Sequence, residues 1–246
     1  MKLINWEQLP PEMQTEEVKK YYDILKAKKV SLFFKRVFDI VVSLMLICIL
    51  SPVFLILAIA IKIDSRGPVF YRQARITQYN KKFYIFKFRS MVQNADKGPQ
   101  VTVSGDARIT RVGKLVRKFR LDEISQLIDV FRGTMTFVGT RPESVKYVES
   151  YTPEMMATLL LPAGVTSMAS ILYKDEAELL DKADDADDVY INKILPEKMY
   201  YNLNEIKKFG FWRDIRIMFM TVFAVLGKEY KADYGEFTQE KEEIEV

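Results

Sequence analysis

The chain has no histidine, a single cysteine in 246 residues, and no glycine-rich phosphate loop among its ten glycines. Without histidine, general acid and base work falls to carboxylates, lysine or tyrosine, and zinc hydrolysis of the usual kind is nearly excluded. The lone Cys48 lies in an apolar run, which rules out an internal disulfide or a thiol cluster and fits a reducing, cytoplasmic setting. With no glycine-rich loop, phosphate binding has to rest on arginines and helix termini. Acid is also scarce where base is dense. Residues 65 to 120 carry 14 Lys or Arg against only Asp96 and Asp106, a net of +12 that the overall charge of +4 conceals. Acid gathers instead at 175 to 188 and in the tail from 228 to 246. The middle of the chain therefore expects an anion.

The length suits one large domain, or one domain with appendages, and allows a substantial core. Residues 40 to 61, "IVVSLMLICILSPVFLILAIAI", hold 22 uncharged residues, enough for a transmembrane helix. Two features favour a re-entrant course over a crossing. Ser51-Pro52 stands at the midpoint, where proline removes a backbone hydrogen bond, so the helix should kink or break there. Positive charge flanks both ends, Lys28, Lys29, Lys35 and Arg36 before and Lys62, Arg66, Arg72 and Arg75 after, and positive charge marks the cytoplasmic side. A cleaved signal peptide fits poorly, because mixed-charge residues precede the run and no small-residue cleavage site follows it.

Ahead of this run, Pro10 and Pro11 precede a charged, weakly amphipathic helix, read as solvated or lying on a membrane surface. After it, 67 to 73 and 81 to 91 read as short strands, with Lys87 and Arg89 on one face of the second. Residues 103 to 120 suggest a loop and a basic helix. A second helix is expected directly afterwards, because Leu121, Ile124, Leu127, Ile128 and Phe131 recur at spacings of three and four, with Gly133 as its stop. Asp122 and Glu123 would then occupy its first turn. "FVGTRPE", 137 to 143, is a Gly/Pro loop, and 211 to 227 suits either an interfacial helix or a core helix. The boundaries expected are a helix over 1 to 32, a re-entrant membrane helix over 33 to 63, a cytoplasmic catalytic domain over 64 to 228, and an acidic tail over 229 to 246. The fold class is α/β, mostly helical with a small antiparallel sheet, and not Rossmann.

The adjacent Asp122 and Glu123 follow a run of cations. A carboxylate in the first turn of a helix is held anionic by the dipole and by free N–H groups, and Arg117, Lys118 and Arg120 would depress its pKa further. An ionised aspartate is a competent nucleophile toward phosphorus, provided cations neutralise the incoming phosphate. Lys87, Arg89, Arg117 and Arg141 lie on segments that could converge there, and the arginine fork suits phosphate. Glu123 could bind Mg2+, move a proton, or simply cap the helix; ordinary capping explains both acids equally well.

The segments "FKRVFDIVVS", "LSPVF", "IKIDSRGPVFYRQAR", "FKFRSM", "GDARITRVGKLVRK", "LDEISQL" and "FVGTRPE" resemble, in order, the bacterial sugar transferase family, the monotopic phosphoglycosyl transferases. The resemblance runs from residue 33 to about 228. It implies transfer of a phosphosugar from a UDP-sugar donor to a polyprenyl phosphate acceptor, expected to be undecaprenyl phosphate, with UMP released and Mg2+ required. It also implies that Asp122 becomes covalently phosphoglycosylated, that Glu123 serves metal binding or proton transfer, with both carboxylates near the metal, and that Lys87, Arg117 and Arg141 lie near substrate phosphate. Ser51 and Pro52 match the break in the family's re-entrant helix. Membrane phospholipid is a further expected partner, a homodimer is left open, and the implied place is the cytoplasmic face of the bacterial inner membrane. The chain departs from the pattern in three places. Thr140-Arg141-Pro142 replaces Pro-Arg-Pro, the Trp-Ala and Gly-Arg-Asn elements are missing after 161 to 176, and Asn202 falls near a frequent aspartate. Two other classes compete on the residues alone: a membrane-anchored recruiter of nucleic acid or anionic lipid, and a catalytically silent scaffold. The recruiter gives no reason for an adjacent Asp-Glu pair, and no nucleic-acid fold signature is present.

Overall fold

The computed structural model describes residues 1–93, 95, 107–173 and 185–230. The acidic tail from 231 onward, most of the acidic stretch 175 to 188 and the start of the 103 to 120 segment lie outside these residues. The described chain is mostly helical with two small sheets.

Helix α1 (Glu16–Ala27) starts at Thr15, whose hydroxyl accepts from the Val18 N–H. Val18, Tyr21, Tyr22 and Leu25 recur at spacings of three, one and three, and pack against Leu160, Leu203, Ile206 and Phe209. This corrects the reading of α1 as a solvated or membrane-surface helix. Its apolar stripe is narrow and flanked by lysines, so it looks weak in sequence, yet it forms one wall of a core.

Helix α2 (Lys29–Asp64) runs for 36 residues, about 54 Å at the α-helical rise. Among the described residues it is the one helix long and apolar enough to cross a membrane, by length and composition. Pro52 lies inside it, and the helix continues through as one element, so of the kink or break expected there a break is not seen. The reason is local. Pro52 lacks the N–H that would meet the Cys48 carbonyl, and the Ser51 hydroxyl donates to that carbonyl instead, at 2.8 Å. One stripe of α2 packs inward: Phe38, Val42, Leu46, Leu50 and Phe54 against one cluster, then Leu57 and Ile61 against another.

Both ends of α2 are fastened to the same body. Near its start, Lys35 Nζ donates to the Val138 carbonyl and pairs with Asp214, each at 2.7 Å. Arg36 donates to the carbonyls of Val130 and Phe131, and Asp39 accepts from Thr136 Oγ1 (2.8 Å) and the Phe137 N–H (3.2 Å). At its end, Asp64 accepts from the Val112 N–H at 2.8 Å. Two of the basic residues read as membrane flanks, Lys35 and Arg36, are thus internal anchors. Lys28, Lys29, Lys62, Arg66 and Arg72 are the exposed ones.

Strands β1 (Phe70–Thr77) and β2 (Lys81–Phe88) pair antiparallel, Tyr71 opposite Lys87 and Arg75 opposite Phe83. Strands β3 (Met135–Val138) and β4 (Ala163–Thr166) pair parallel, which corrects the expectation of antiparallel pairing alone. The intervening connection is long enough for a crossover, and β3 is buried at every position, as parallel strands usually are. Gly139 and Gly164 let the two chains close up after the pair; a Cβ on Gly164 would lie 2.1 Å from the Gly139 carbonyl oxygen. Helices α3 (Arg111–Lys118) and α4 (Leu127–Arg132) follow β2. The latter ends at Gly133 in the left-handed conformation, as its position in sequence suggested. Helices α5 (Val145–Val148), α6 (Met168–Leu172), α7 (Ala186–Val189), α8 (Leu195–Lys207) and α9 (Phe211–Val225) complete the chain, with a π-helical turn at Tyr190–Ile194 between α7 and α8. Of the two readings of 211 to 227, the exposure of Trp212, Phe219, Phe223 and Val225 favours the interfacial one.

Lys35→Met should cost about 3 kcal/mol, because it leaves Asp214 buried without its cation. Burial already raises the Asp214 carboxyl and Lys35 opposes that rise, so the variant's deficit should shrink as falling pH protonates the acid. Thermal unfolding in detergent at about pH 7 and about pH 5 would read this; an equal loss at both would sink the ion-pair account.

Candidate active site

Helix α3 is set by Thr110, whose hydroxyl accepts from the Gly113 N–H at 2.9 Å. Gly113 is needed for close approach, since a Cβ there would come within 1.9 Å of the Ser90 carbonyl oxygen. The helix ends at Arg120, which takes the left-handed conformation (φ +51). The Arg120 N–H donates to the Arg117 carbonyl (3.1 Å) and the Leu121 N–H to the Val116 carbonyl (2.8 Å), the paired bonds of a Schellman ending. Glycine usually fills that position, and a side chain there costs about 1 kcal/mol. The turn is retained because Leu121 drops onto Val116 and Phe88 in one apolar cluster.

Asp122 and Glu123 therefore occupy the connecting turn, not the first turn of a helix as expected. A single 3-10 turn, Ile124–Gln126, separates them from α4. The turn is fastened to β2: the Phe88 N–H donates to the Asp122 carbonyl (3.0 Å), and the Ser125 hydroxyl bonds the carbonyls of Phe86 (3.0 Å) and Asp122 (3.1 Å).

The two carboxylates meet different surroundings. Glu123 Oε1 accepts from Arg141 Nη2 at 2.7 Å and lies 3.7 Å from Lys87 Nζ. The Asp122 carboxylate accepts no side-chain hydrogen bond among the described residues. Burial raises the Asp122 carboxyl, the neighbouring Glu123 charge adds to the rise, and Lys87 and Arg117 offset only part of it. This reverses the expected depression. For Glu123 burial also acts upward, but Arg141 and Lys87, helped by Arg120, outweigh it and hold the group down to about 2. Burial in turn pushes the Lys87 ammonium down, with Glu123 opposing.

Arg117 Nε donates to Ser90 Oγ at 3.0 Å, close enough to act on Asp122. Lys87, Arg117, Arg141, Asp122 and Glu123 thus gather as the sequence suggested. Arg89 does not join them, and its assignment to phosphate is corrected. It is 5% exposed and donates to the carbonyls of Ile61 (3.4 Å), Ser65 (2.7 Å) and Arg66 (2.8 Å) and to Ser65 Oγ, closing the C-terminal end of α2. The strand ends at Phe88, so Arg89 is free of the alternation that would have put it beside Lys87. Ser51 and Pro52 lie exposed within α2.

Four residues, Arg75, Glu143, Tyr190 and Lys198, were not assigned to the site from sequence, Arg75 being read only as a flanking charge. Arg75 sits on β1. Glu143, 7% exposed, accepts from Tyr190 Oη (2.6 Å) and Lys198 Nζ (3.4 Å) beneath the loop carrying Arg141. The alternation of β1, carried two residues further, would have placed Arg75 on the Lys87 face; nothing local links Glu143 to Lys198. Among the family departures, Thr140 uses its carbonyl to accept from the Gly164 N–H (2.8 Å), so backbone fixes the loop, and the buried Asn202 amide donates to Met199 Sδ. No three acidic, His or Cys side chains converge among the described residues. A Mg2+ ion fits this donor set only with Asp122, the outer oxygen of Glu123 and a substrate's own phosphates as ligands, the arrangement usual for that ion.

Residues 30–228 match the family described as bacterial sugar transferase. The chain is 37% identical over 198 residues to the UDP-N-acetylgalactosamine-undecaprenyl-phosphate N-acetylgalactosaminephosphotransferase of Aeromonas hydrophila, covering 79% of this chain and 44% of that protein. It is 35% identical over 200 residues to the UDP-glucose:undecaprenyl-phosphate glucose-1-phosphate transferase of Klebsiella pneumoniae, covering 79% and 40%. To the protein of that same name in Caulobacter vibrioides it is 32% identical over 198 residues, covering 78% and 69%. The chain spans less than half the length of the first two relatives.

Titration of carbon-13-labelled carboxyls should place Asp122 above the ordinary aspartate value of about 3.9, with Glu123 near 2. Lys87→Met removes a cation from both and should move both upward; a fall in either would contradict the arrangement described.

Proposed function

The chain belongs to the bacterial sugar transferase family, and from that membership we propose that it transfers a sugar 1-phosphate from a UDP-sugar to a polyprenyl phosphate, releasing UMP. The observation that carries the reading is the division between the two carboxylates: Glu123 is bound by Arg141 and Lys87, while the Asp122 carboxylate has no side-chain hydrogen bond among the described residues and feels the charges of Lys87 and Arg117. In this reading an Asp122 carboxylate oxygen attacks the sugar-linked phosphorus. A P–O bond to that phosphorus forms, the bond to the bridging oxygen breaks, and UMP leaves with the electron pair. A phosphate oxygen of the polyprenyl phosphate then attacks the same phosphorus, and the bond to Asp122 breaks, restoring the carboxylate. Lys87, Arg117 and Arg141 hold phosphate oxygens and offset the charge that gathers on them. A bound Mg2+, held by Asp122 and Glu123, would supply further charge neutralisation on the donor's phosphates.

The acceptor is undecaprenyl phosphate in the names of the relatives, whose sugars differ: N-acetylgalactosamine in one, glucose in another. We place the catalytic body on the cytoplasmic face of the bacterial inner membrane, with α2 re-entrant and α9 lying in the interface. Exposed apolar faces on both helices support this, as do exposed basic residues at both ends of α2 and the attachment of both ends to one body.

The test is UMP release by detergent-solubilised protein with Mg2+, undecaprenyl phosphate and a panel of UDP-sugars. One sugar should support release, and Asp122→Asn should reduce it roughly a thousandfold or more. With the acceptor omitted, intact-mass measurement should find the protein heavier by one sugar phosphate, on the Asp122 peptide. Full turnover by Asp122→Asn would rule out the covalent route.

A further inference from the structure

β1 carries a cation that the site described above does not use. Arg75 faces Phe83 across the antiparallel pair, as Tyr71 faces Lys87, and residues directly opposite one another share a face. Arg75 and Lys87 therefore project from the same side of the sheet. Arg75 is half-buried, and its hydrogen bonds go to neutral acceptors: the Pro142 carbonyl at 3.4 Å, and the Gln73 side-chain oxygen at 3.1 Å. Among the described residues it forms no ion pair within 4.0 Å. Glu143, the nearest acid to act on it, is instead bound by Tyr190 and Lys198. Pro142 directly follows Arg141, which grips Glu123, so Arg75 touches the very loop that completes the carboxylate pair.

A half-buried guanidinium with neutral partners and another guanidinium nearby is poorly compensated. Burial, then Arg141, act on Arg75 to disfavour its charge, and Glu143 opposes them. An incoming anion would relieve all of this. Two of its five donors are engaged and neither acceptor is charged, so the rest of the fork is left for the oxygens of an anion.

We infer that Arg75 is a further phosphate-binding residue, gripping phosphate oxygens from the β1 side while Lys87 and Arg141 act from the β2 and loop sides. This rests on the transfer reaction proposed above. The shared ligand chemistry is a phosphate group, borne either by the nucleotide donor or by the lipid acceptor.

The full chain in detergent, wild type, Arg75→Gln and Arg75→Lys, would be assayed with each substrate varied in turn. Arg75→Gln should raise one KM about tenfold or more while kcat changes less than about threefold. A rise for the UDP-sugar assigns the donor's phosphate, and a rise for undecaprenyl phosphate assigns the acceptor's. Arg75→Lys, which keeps the charge and loses the fork, should fall between, and it carries the test if Arg75→Gln does not fold. Gln73→Leu removes a contact of Arg75 without removing its charge, so it should leave both KM values within about twofold. Both KM values unchanged in folded Arg75 variants would overturn the inference while leaving the transfer reaction standing. Should wild type be silent toward every UDP-sugar, the transfer reaction fails instead. Calorimetry with pyrophosphate then decides Arg75 alone: about tenfold weaker binding in the variant supports it, and equal binding or none refutes it.

Discussion

Two carboxylates on consecutive residues cannot both stay ionised in a half-buried turn unless cations reach them, and the structure around Asp122 and Glu123 answers that constraint. Lys87 comes from β2, Arg117 from α3 and Arg141 from the loop after β3, so three separate elements must be in register for one acid pair to exist. The cations are shared unequally. Arg141 and Lys87 both converge on one oxygen of Glu123, and Asp122 beside it is left raised and without a side-chain hydrogen bond among the described residues. Adjacent carboxylates with opposite shifts can hold different roles at one pH, which is how paired acids generally divide nucleophilic and supporting work.

That arrangement in turn requires a rigid frame, and much of the frame is polar. The loop carrying Arg141 rests on Glu143, itself buried with Tyr190 and Lys198, and its backbone is pinned by the Ile76 N–H to the Glu143 carbonyl at 3.0 Å. The turn carrying the dyad owes its shape to Arg120, which adopts a conformation that glycine would take at lower cost. Local strain beside a charged site, held in place by the apolar contact of Leu121 and Val116, is of the kind found at functional positions.

Much of this was legible in the sequence, and the parts that were not share a cause. Period-two alternation located β2 and Lys87, the three-and-four spacing located α4 and its Gly133 stop, and the charge of 65 to 120 pointed to the segment that carries Lys87 and Arg117. What failed was reading across an element's end. Arg89 follows the last residue of β2, where alternation no longer governs direction, and its donors go to the carbonyls that end α2. Asp122 was placed in a helix because the apolar spacing begins at Leu121; the left-handed Arg120 has no marker in composition. Pro52 suggested a break, but a preceding serine can bond the carbonyl that proline strands. Arg36 and Lys35 read as flanking charges that mark the cytoplasmic side, though their partners, Val130 and Asp214, lie 94 and 179 residues away and no local pattern could name them. Glu143 and Lys198, 55 residues apart, are likewise beyond any local pattern.

The clamp formed by Arg89 has a consequence for where the chemistry happens. Arg89, just past the end of β2, holds the carbonyls of Ile61, Ser65 and Arg66 at the C-terminal end of α2, and Lys87, two residues and about 7 Å back along the chain, touches Glu123. Ser90, next in line, holds Arg117. With α2 in the bilayer, this segment is a ruler: the depth to which the helix sinks fixes the altitude of the dyad above the lipid surface. In the transfer proposed above, a lipid phosphate would present its headgroup at a nearly constant height, and the acid meeting it would be surveyed from the membrane upward, through the residues that follow one another at the end of β2.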